Sequence, residues 1–317
     1  MTDAPTHRLL LAPTVPPPLK AALREMHPRS LSAANRDELA TLAAQHASHI
    51  TVFVTTATEG ASEAQMAALP QLRAVCSLGV GVDALDLEAA ARRGIAVSNT
   101  PDVLNDCVAD LAVGLMIDVA RGMGRADRLV RRGDWPRTGP GPLGTRVSGR
   151  RVGLLGMGRI GQTIARRLGG FDMEIRYHTR RPVDGLPHAH EPSLQALAQW
   201  ADFLIVACAG GEATRGLVTA EVLAALGPAG YLVNVARGSV IDEAALVAAL
   251  QAGTLGGAAL DVFADEPNVP PALFALDNVV LLPHVGSATA QTRRAMGDLL
   301  IANVDSFVRT GSLQTPA

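Results

Sequence analysis

The chain has few of the residues that mark several classes of protein. Aromatic residues make up 3% of its 317 residues, too few for the stacking platforms that bind single-stranded nucleic acid. The formal net charge is −2, so no basic surface for a nucleic-acid backbone is expected. No apolar run approaches the roughly 18 residues of a membrane span, and the run from Leu9 to Leu11 is too short for a signal peptide. We therefore expect neither a nucleic-acid nor a membrane partner.

Cysteine is also scarce, which bears on metals and on the cellular compartment. The three cysteines, Cys76, Cys107 and Cys208, are widely spaced and odd in number. No disulfide framework or metal-ligand spacing fits them. We expect reduced packing residues in a cytoplasmic protein that uses no metal.

Short apolar runs alternate with alanine-rich helical segments, as in "HITVFVTT" followed by "SEAQMAAL". This alternation predicts an α/β protein with parallel sheets covered by helices. A second series of the same kind begins at Arg151, and "TRRAMGDLLIANVDSFVRTG" is typical of one amphipathic helix that returns to the first series. The predicted domains are residues 1–99 with 289–317, and residues 100–288.

Some segment ends are also predictable. Gly94 is expected to close the helix "LDLEAAARRG", and the helix after "YLVNVA" is expected to begin near Asp242 and stop at Gly253. The segment "RRGDWPRTGPGPLGTRVSGR" is rich in glycine and proline, so it is predicted to be an extended excursion. Its Trp135 either anchors a subunit contact or covers its own helix.

The second series opens with a glycine pattern that is typical of dinucleotide binding. Gly156, Gly158 and Gly161 form G-x-G-x-x-G between the apolar strand "VGLL" and a helical pattern. These glycines allow a tight turn, close approach of a pyrophosphate and close packing of helix on strand, while the helix N-terminus attracts the anion. The pattern indicates a Rossmann-like, doubly wound domain.

The end of the next strand indicates which dinucleotide is bound. NAD-binding domains usually carry an acidic residue there, which holds the ribose 2′-hydroxyl. This chain has His178, Thr179, Arg180 and Arg181 instead. Arginine forms forked, charge-assisted bonds with a 2′-phosphate, so we predict NADPH in preference to NADH. Arg180 is the favoured contact to the 2′-phosphate. The other guanidinium, that of Arg181, either binds the phosphate as well or is only solvated.

At this point the sequence resembles the D-isomer-specific 2-hydroxyacid dehydrogenases over nearly its whole length. The supporting stretches are "LGVGVDALDLEAAARRGIAVSNTPDVL", "LGMGRIG", "VNVARGSVIDEAALVAAL", "GGAALDVFADEP" and "VVLLPHVGSAT". The "HTRR" and "LLPHVGSAT" segments look most like the NADPH-dependent glyoxylate/hydroxypyruvate reductases, including their hydroxyphenylpyruvate-reducing members. The resemblance implies two Rossmann-like domains with a cleft between them, and a homodimer joined through the coenzyme domains.

The resemblance also assigns roles to the positions that match the family's motifs. Arg237 matches the arginine that binds the substrate carboxylate and carbonyl. His284 matches the acid/base histidine, and Glu266 its acidic partner. Val80 and Gly81 match the backbone N–H groups that hold the substrate carboxylate.

The same comparison implies a set of cofactor contacts. Asp261 matches the residue that contacts the nicotinamide amide. Two departures are visible: Ala209 stands where proline is frequent, and Asn105 where threonine is frequent. The remaining expected contacts are Arg159, Ile160, Cys208, Thr214, Val235, Ala236 and Gly286.

The chemistry of these residue types agrees with that assignment. Reduction of a 2-keto acid needs a proton donor and a cation for the carboxylate, which histidine and arginine supply. Arg237 and His284 each follow an apolar strand, and open α/β sheets bind ligands at the carboxyl ends of strands. Because Phe53 is the only aromatic residue before Trp135, a small substrate such as glyoxylate or hydroxypyruvate is favoured.

Two alternatives stay open, and a third lacks support. The same chemistry could act on a bulkier 2-keto acid such as hydroxyphenylpyruvate. A dinucleotide-sensing regulatory protein of the same fold is a second alternative, although a tail for partner binding would be expected in that class. A hydrolase of the S-adenosylhomocysteine type lacks support, because the chain is shorter than such hydrolases and because Arg237, Glu266 and His284 match the dehydrogenase motifs.

Overall fold

The structure is a computed structural model that describes residues 7–317. Contacts between backbone positions divide it into two units. The first comprises the described residues up to Leu104 together with Ala290–Ala317, and the second is Asn105–Thr289. The sequence-based boundaries were placed at residues 99/100 and 288/289.

The first unit is built on a five-stranded parallel sheet in the order β2-β1-β3-β4-β5. Its strands are β1 (Leu9–Leu11), β2 (Leu31–Ser32), β3 (Val52–Thr56), β4 (Ala74–Leu78) and β5 (Ala96–Ser98). Its helices before residue 104 are α1 (Pro17–Met26), α2 (Arg36–His46), α3 (Glu63–Ala67) and α4 (Leu87–Arg92). Strands β3 and β4 are buried along their whole length, as expected for a sheet with both faces covered.

The second unit is built on a seven-stranded parallel sheet in the order β12-β11-β10-β9-β6-β7-β8. Its strands are β6 (Arg151–Leu155), β7 (Glu174–His178), β8 (Ala189–His190), β9 (Phe203–Val206), β10 (Tyr231–Asn234), β11 (Gly257–Leu260) and β12 (Val279–Leu281). Its helices are α5 (Asn105–Arg121), α6 (Met123–Arg131), α7 (Trp135–Thr138), α8 (Arg159–Leu168), α9 (Leu194–Trp200), α10 (Ala220–Leu226) and α11 (Glu243–Ala252). The strand order reverses between β6 and β9, and open α/β sheets bind ligands at such a switch point.

The chain closes with α12 (Ala290–Thr310), which packs on β4 of the first unit. The predicted α/β class with two doubly wound parallel sheets is thus confirmed. Among residues 7–317, no helix combines the length and the apolar content that crossing a bilayer requires.

Local signals placed several helix ends correctly. Asp242 caps α11 by accepting a hydrogen bond from the Ala245 N–H at 3.0 Å, and Gly253 follows that helix with a φ of 68°. Gly94 has a φ of 66° after α4, as predicted. Gly122 adopts a φ of 61° and separates α5 from α6.

The three cysteines are free thiols. Cys76 is buried in β4, and burial raises the pKa of its thiol to about 12, so it is a neutral packing residue. The predicted extended excursion after Arg131 is irregular for most of its length but contains the short helix α7.

Candidate active site

The glycine loop lies at the switch point of the second sheet, between β6 and α8. Gly156 has a φ of 102°, and a Cβ atom there would lie 2.5 Å from the Cys208 backbone nitrogen. A Cβ on Gly161 would lie 2.2 Å from the Gly156 carbonyl oxygen. At Gly158, in contrast, a Cβ would meet no protein atom within 4 Å. Two glycines are therefore required by internal packing, and the third leaves the loop surface open to a ligand.

Helix α8 begins directly after this loop, at Arg159. Its N-cap is Gly158, and no side chain caps the first turn. The first N–H groups of a helix carry a partial positive charge and have no partner within the helix. The loop and helix end therefore fit a pyrophosphate.

Across the switch point, the segment after β9 carries Cys208, Ala209 and Thr214. The Thr214 hydroxyl donates a hydrogen bond to the Ala209 carbonyl at 2.8 Å and closes this turn. Cys208 is partly buried, and burial raises the pKa of its thiol to about 11. The thiol is thus neutral near pH 7 and does not repel a phosphate.

The end of β7 is tied to the glycine loop, because the Gly156 N–H donates to the His178 carbonyl at 3.0 Å. Thr179, Arg180 and Arg181 follow, and both arginines are exposed. Neither guanidinium forms an ion pair with any carboxylate of the described chain. The pair therefore presents uncompensated positive charge beside the glycine loop.

Arg237 lies in a tight turn that follows β10. The buried Asn234 holds this turn from both sides: its side-chain nitrogen donates to the Arg237 carbonyl at 3.0 Å, and its oxygen accepts from the Ala236 N–H at 3.0 Å. A Cβ on Gly238 would lie 1.9 Å from the Phe263 carbonyl carbon. The Arg237 turn therefore packs directly on the segment that leads to Glu266.

Glu266 and His284 are joined by a hydrogen bond although 18 positions separate them in sequence. The Nδ1 atom of His284 lies 2.7 Å from Oε2 of Glu266. The other carboxylate oxygen accepts a hydrogen bond from the Phe263 N–H at 3.0 Å, which orients the carboxylate. The His284 side chain is 33% exposed and the Glu266 side chain 28% exposed, so the imidazole is accessible to a ligand.

The backbone of His284 is held by Asp261 at the end of β11. His284 has a φ of 54°, a left-handed conformation that is uncommon for residues other than glycine. Its N–H donates to the Asp261 carbonyl at 2.9 Å. The Asp261 carboxylate accepts from the Val285 N–H at 2.7 Å and from the Gly286 N–H at 2.8 Å. Three hydrogen bonds to one buried aspartate thus fix the turn that aims the imidazole.

The carboxyl groups of Asp261 and Glu266 differ in how readily they ionise. Burial raises the pKa of Asp261 above its usual range, despite the two backbone N–H groups that oppose this shift. Burial also acts to raise the pKa of Glu266, but the hydrogen bond and charge of His284, then the Phe263 N–H and lastly the charge of Arg237, outweigh it and lower that pKa. Glu266 is therefore an anion at neutral pH, and Arg237 lies close enough to contribute to its charge balance.

The remaining sequence-predicted cofactor residues of this unit lie on the same sheet edge or beside it. Val235 and Ala236 are buried in the stretch between β10 and Arg237. A Cβ on Gly286 would lie 3.0 Å from the Asp261 carboxylate, so glycine keeps that turn compact. Asn105 begins α5, and Ile160 lies in the first turn of α8.

Val80 and Gly81 belong to the first unit, in the loop after β4. The Asn99 side chain donates to the Val80 carbonyl at 2.9 Å, and the Thr100 hydroxyl accepts from the Gly79 N–H at 2.9 Å. Across residues 7–317, neither the Val80 nor the Gly81 N–H donates to a protein acceptor. Both amides are therefore open to an anionic ligand.

Two residues that support the site, Asn234 and Asp261, were not recognised in that role from the sequence. Asn234 clamps the Arg237 turn, and its only signal was a polar residue at the end of the apolar strand "YLVN". Asp261 was expected only as a nicotinamide contact, and its support of the His284 turn depends on the pairing of β11 with β12. That pairing is not visible in the sequence.

Comparison with known proteins identifies the relatives of this chain. Residues 113–286 match the family model described as the D-isomer specific 2-hydroxyacid dehydrogenase, NAD binding domain. The chain is 45% identical to glyoxylate/hydroxypyruvate reductase A of Arabidopsis thaliana over 88% of its own length and 89% of that protein. It is 45% identical to the hydroxyphenylpyruvate reductase of Plectranthus scutellarioides, over 89% of each chain.

A solved structure extends the likeness to the fold. The NADPH-dependent glyoxylate/hydroxypyruvate reductase of Sinorhizobium meliloti, crystallised with NADP and malonate, is 44% identical to this chain. It superposes with a TM-score of 0.92 over 98% of this chain and 97% of that one. The chain therefore belongs to the D-isomer-specific 2-hydroxyacid dehydrogenase family.

Proposed function

We propose that this protein reduces small 2-keto acids, such as glyoxylate and hydroxypyruvate, to D-2-hydroxy acids with NADPH. The observation that carries the proposal is the 2.7 Å contact between His284 and Glu266, next to the Arg237 turn at the carboxyl edge of a dinucleotide-binding sheet. A general acid held by a carboxylate, with a guanidinium nearby, is what carbonyl reduction of an anionic substrate requires.

The second unit is proposed to hold the cofactor. The open surface at Gly158 and the uncapped start of α8 suit the pyrophosphate, while Arg180 and Arg181 suit the 2′-phosphate. When bound, NADPH supplies the hydride. The S. meliloti relative was crystallised with NADP, which supports this choice of cofactor.

The protein's own groups are proposed to bind the acid and deliver the proton. Arg237 offers a planar fork for the carboxylate and the carbonyl oxygen. His284 donates a proton from Nε2, because its Nδ1 is engaged by Glu266. The open Val80 and Gly81 amides are proposed as N–H donors for an anionic ligand, and the first unit is proposed as the substrate-binding domain.

The size of the substrate is the finer question. The Arabidopsis and Plectranthus relatives are named for hydroxypyruvate and hydroxyphenylpyruvate, respectively, so the bulkier acid is the second candidate. A regulatory, dinucleotide-sensing role is less favoured. Such a role gives no reason for a histidine held in a left-handed turn against a carboxylate.

We further propose a homodimer that is joined through the second unit. Val130, Trp135 and Leu143 are 54%, 56% and 99% exposed, although large apolar side chains are usually covered. The exposure of Trp135 favours a subunit contact over coverage of its own helix. Sedimentation of the wild type and of the variant Trp135→Ser with Leu143→Ser tests this, since only the variant should be monomeric. A cytoplasmic location stays a prediction from the free cysteines.

A panel assay tests the function. The loss of NADPH absorbance is followed with glyoxylate, hydroxypyruvate, hydroxyphenylpyruvate and pyruvate at one fixed NADPH concentration, and then with NADH. The proposal expects the highest kcat/KM for glyoxylate or hydroxypyruvate with NADPH. No turnover of any of the four acids would overturn it and favour the regulatory alternative.

A further inference from the structure

A buried tyrosine holds the loop that carries Arg180 and Arg181. Tyr177, in β7, is 2% exposed. Its hydroxyl accepts a hydrogen bond from the Val183 N–H at 2.9 Å and donates to the Val183 carbonyl at 3.4 Å. Both backbone polar groups of Val183 are therefore bound by one side chain. Since Val183 lies just beyond Arg181, the hydroxyl fixes the far side of the arginine pair.

A histidine holds the near side of the same pair. His190 Nε2 lies 2.9 Å from the Thr179 carbonyl oxygen. A carbonyl can only accept, so this nitrogen carries the hydrogen and donates it. In the β7–β8 ladder His190 stands opposite Tyr177, and their ring centroids lie 5.2 Å apart. The two side chains thus form one cluster beneath the loop.

The loop is also tied within itself and to β8. The Thr179 hydroxyl donates to the Arg181 carbonyl at 2.6 Å. The His178 Nδ1 atom donates to the Glu191 carbonyl at 2.9 Å. The backbone on either side of the two arginines is consequently fixed, while their guanidinium groups stay exposed.

We propose that Tyr177 and His190 are positioning residues for NADP(H) selectivity, which hold residues 179–183 so that both guanidinium groups face the 2′-phosphate. This inference rests on the proposed use of NADPH. A loop that is already ordered in the free protein loses little conformational entropy when the ligand binds, so the affinity is higher. NADH has no 2′-phosphate, so a looser loop should weaken the binding of NADPH and leave that of NADH unchanged.

The chain offers a matched control, because it has only two tyrosines. Tyr231 lies on β10 of the same sheet, and its hydroxyl lies 2.7 Å from the Thr145 hydroxyl, at the opposite end of the strands from the glycine loop. Tyr177→Phe and Tyr231→Phe each remove one hydrogen-bonded hydroxyl. Only the first removes the support of the arginine loop.

The test is calorimetric titration of the full-length protein with adenosine 2′,5′-bisphosphate and with 5′-AMP, which lacks the 2′-phosphate. Tyr177→Phe should weaken bisphosphate binding about fivefold to tenfold, the size expected for one net hydrogen bond, and change AMP binding less than about twofold. Tyr231→Phe should change neither. His190→Leu should act like Tyr177→Phe, and His190→Gln, which keeps an N–H donor, should recover part of the loss.

The outcomes separate this inference from the function on which it rests. If the wild type binds the two nucleotides equally, the proposed NADPH preference fails and the inference falls with it. If the wild type prefers the bisphosphate but the two tyrosine variants behave alike, only the positioning role is overturned. Thermal unfolding of each variant excludes a general loss of structure as the cause of a weaker site.

Discussion

Replacing Glu266 with glutamine should lower the rate of 2-keto acid reduction, because it removes the acceptor that holds His284. The carboxylate accepts from the Phe263 N–H through one oxygen and from His284 Nδ1 through the other, at 3.0 and 2.7 Å. A glutamine can keep the Phe263 bond with its carbonyl oxygen, but its amide nitrogen then faces Nδ1 as a donor. The imidazole must therefore accept at Nδ1, which is possible only when it is neutral.

The sign of the effect follows from the pKa of Glu266. That pKa lies below its usual range because the hydrogen bond and charge of His284 outweigh the opposing effect of burial. The anionic carboxylate therefore accepts the Nδ1 hydrogen of His284 and stabilises positive charge on the neighbouring ring. A charge-assisted hydrogen bond contributes about 1.5–3 kcal/mol and a tenfold change in rate corresponds to about 1.36 kcal/mol, so kcat/KM should fall about tenfold to a hundredfold.

The assay is kcat/KM for glyoxylate with NADPH across the neutral and alkaline range. Because the pKa of Glu266 is lower in the folded protein than its unfolded value of 4.5, the carboxylate stabilises the fold at every pH above 4.5. This stabilisation is lost only as the pH falls through the lower pKa of the folded state. The kinetic range is therefore free of that effect. Glu243→Gln is the control, because Glu243 accepts from the Ala264 N–H at 3.0 Å in the same segment. An unchanged kcat/KM in Glu266→Gln, or an equal loss in Glu243→Gln, would refute the reasoning.

Three further predictions concern the residues that bind or react. His284→Ala should lower kcat on the order of 10²–10⁴-fold while NADPH binding, measured by fluorescence, persists; normal turnover would remove it as the proton donor. Arg237→Lys should raise KM for glyoxylate and lower kcat, because an ammonium lacks the planar fork; full activity would mean that charge alone suffices. Replacing both Arg180 and Arg181 with glutamine should raise KM for NADPH and leave that for NADH little changed, and an equal rise for both cofactors would contradict a 2′-phosphate site.

The features that the sequence determined by itself depend on neighbours in the chain. The glycine loop could be placed because an apolar strand and a helical pattern flank Gly156 and Gly158. Asp242 and Gly253 could be placed because a cap depends on the side chain and on φ at that position. Strand and helix alternation likewise gave the α/β class, since side-chain periodicity is local. The charge of Arg180 and Arg181 at a strand end was visible in the same way.

Tertiary structure decided everything that needs the strand order. His284 meets Glu266 because β11 and β12 are paired neighbours whose carboxyl ends share one edge. Asp261 supports the His284 turn for the same reason, and no spacing in the sequence specifies its hydrogen bonds to that turn. Tyr177 binds Val183 only because the loop after β7 folds back before β8. The residue types were present in the sequence, but their distances are set by long-range strand pairing, which local propensities do not encode.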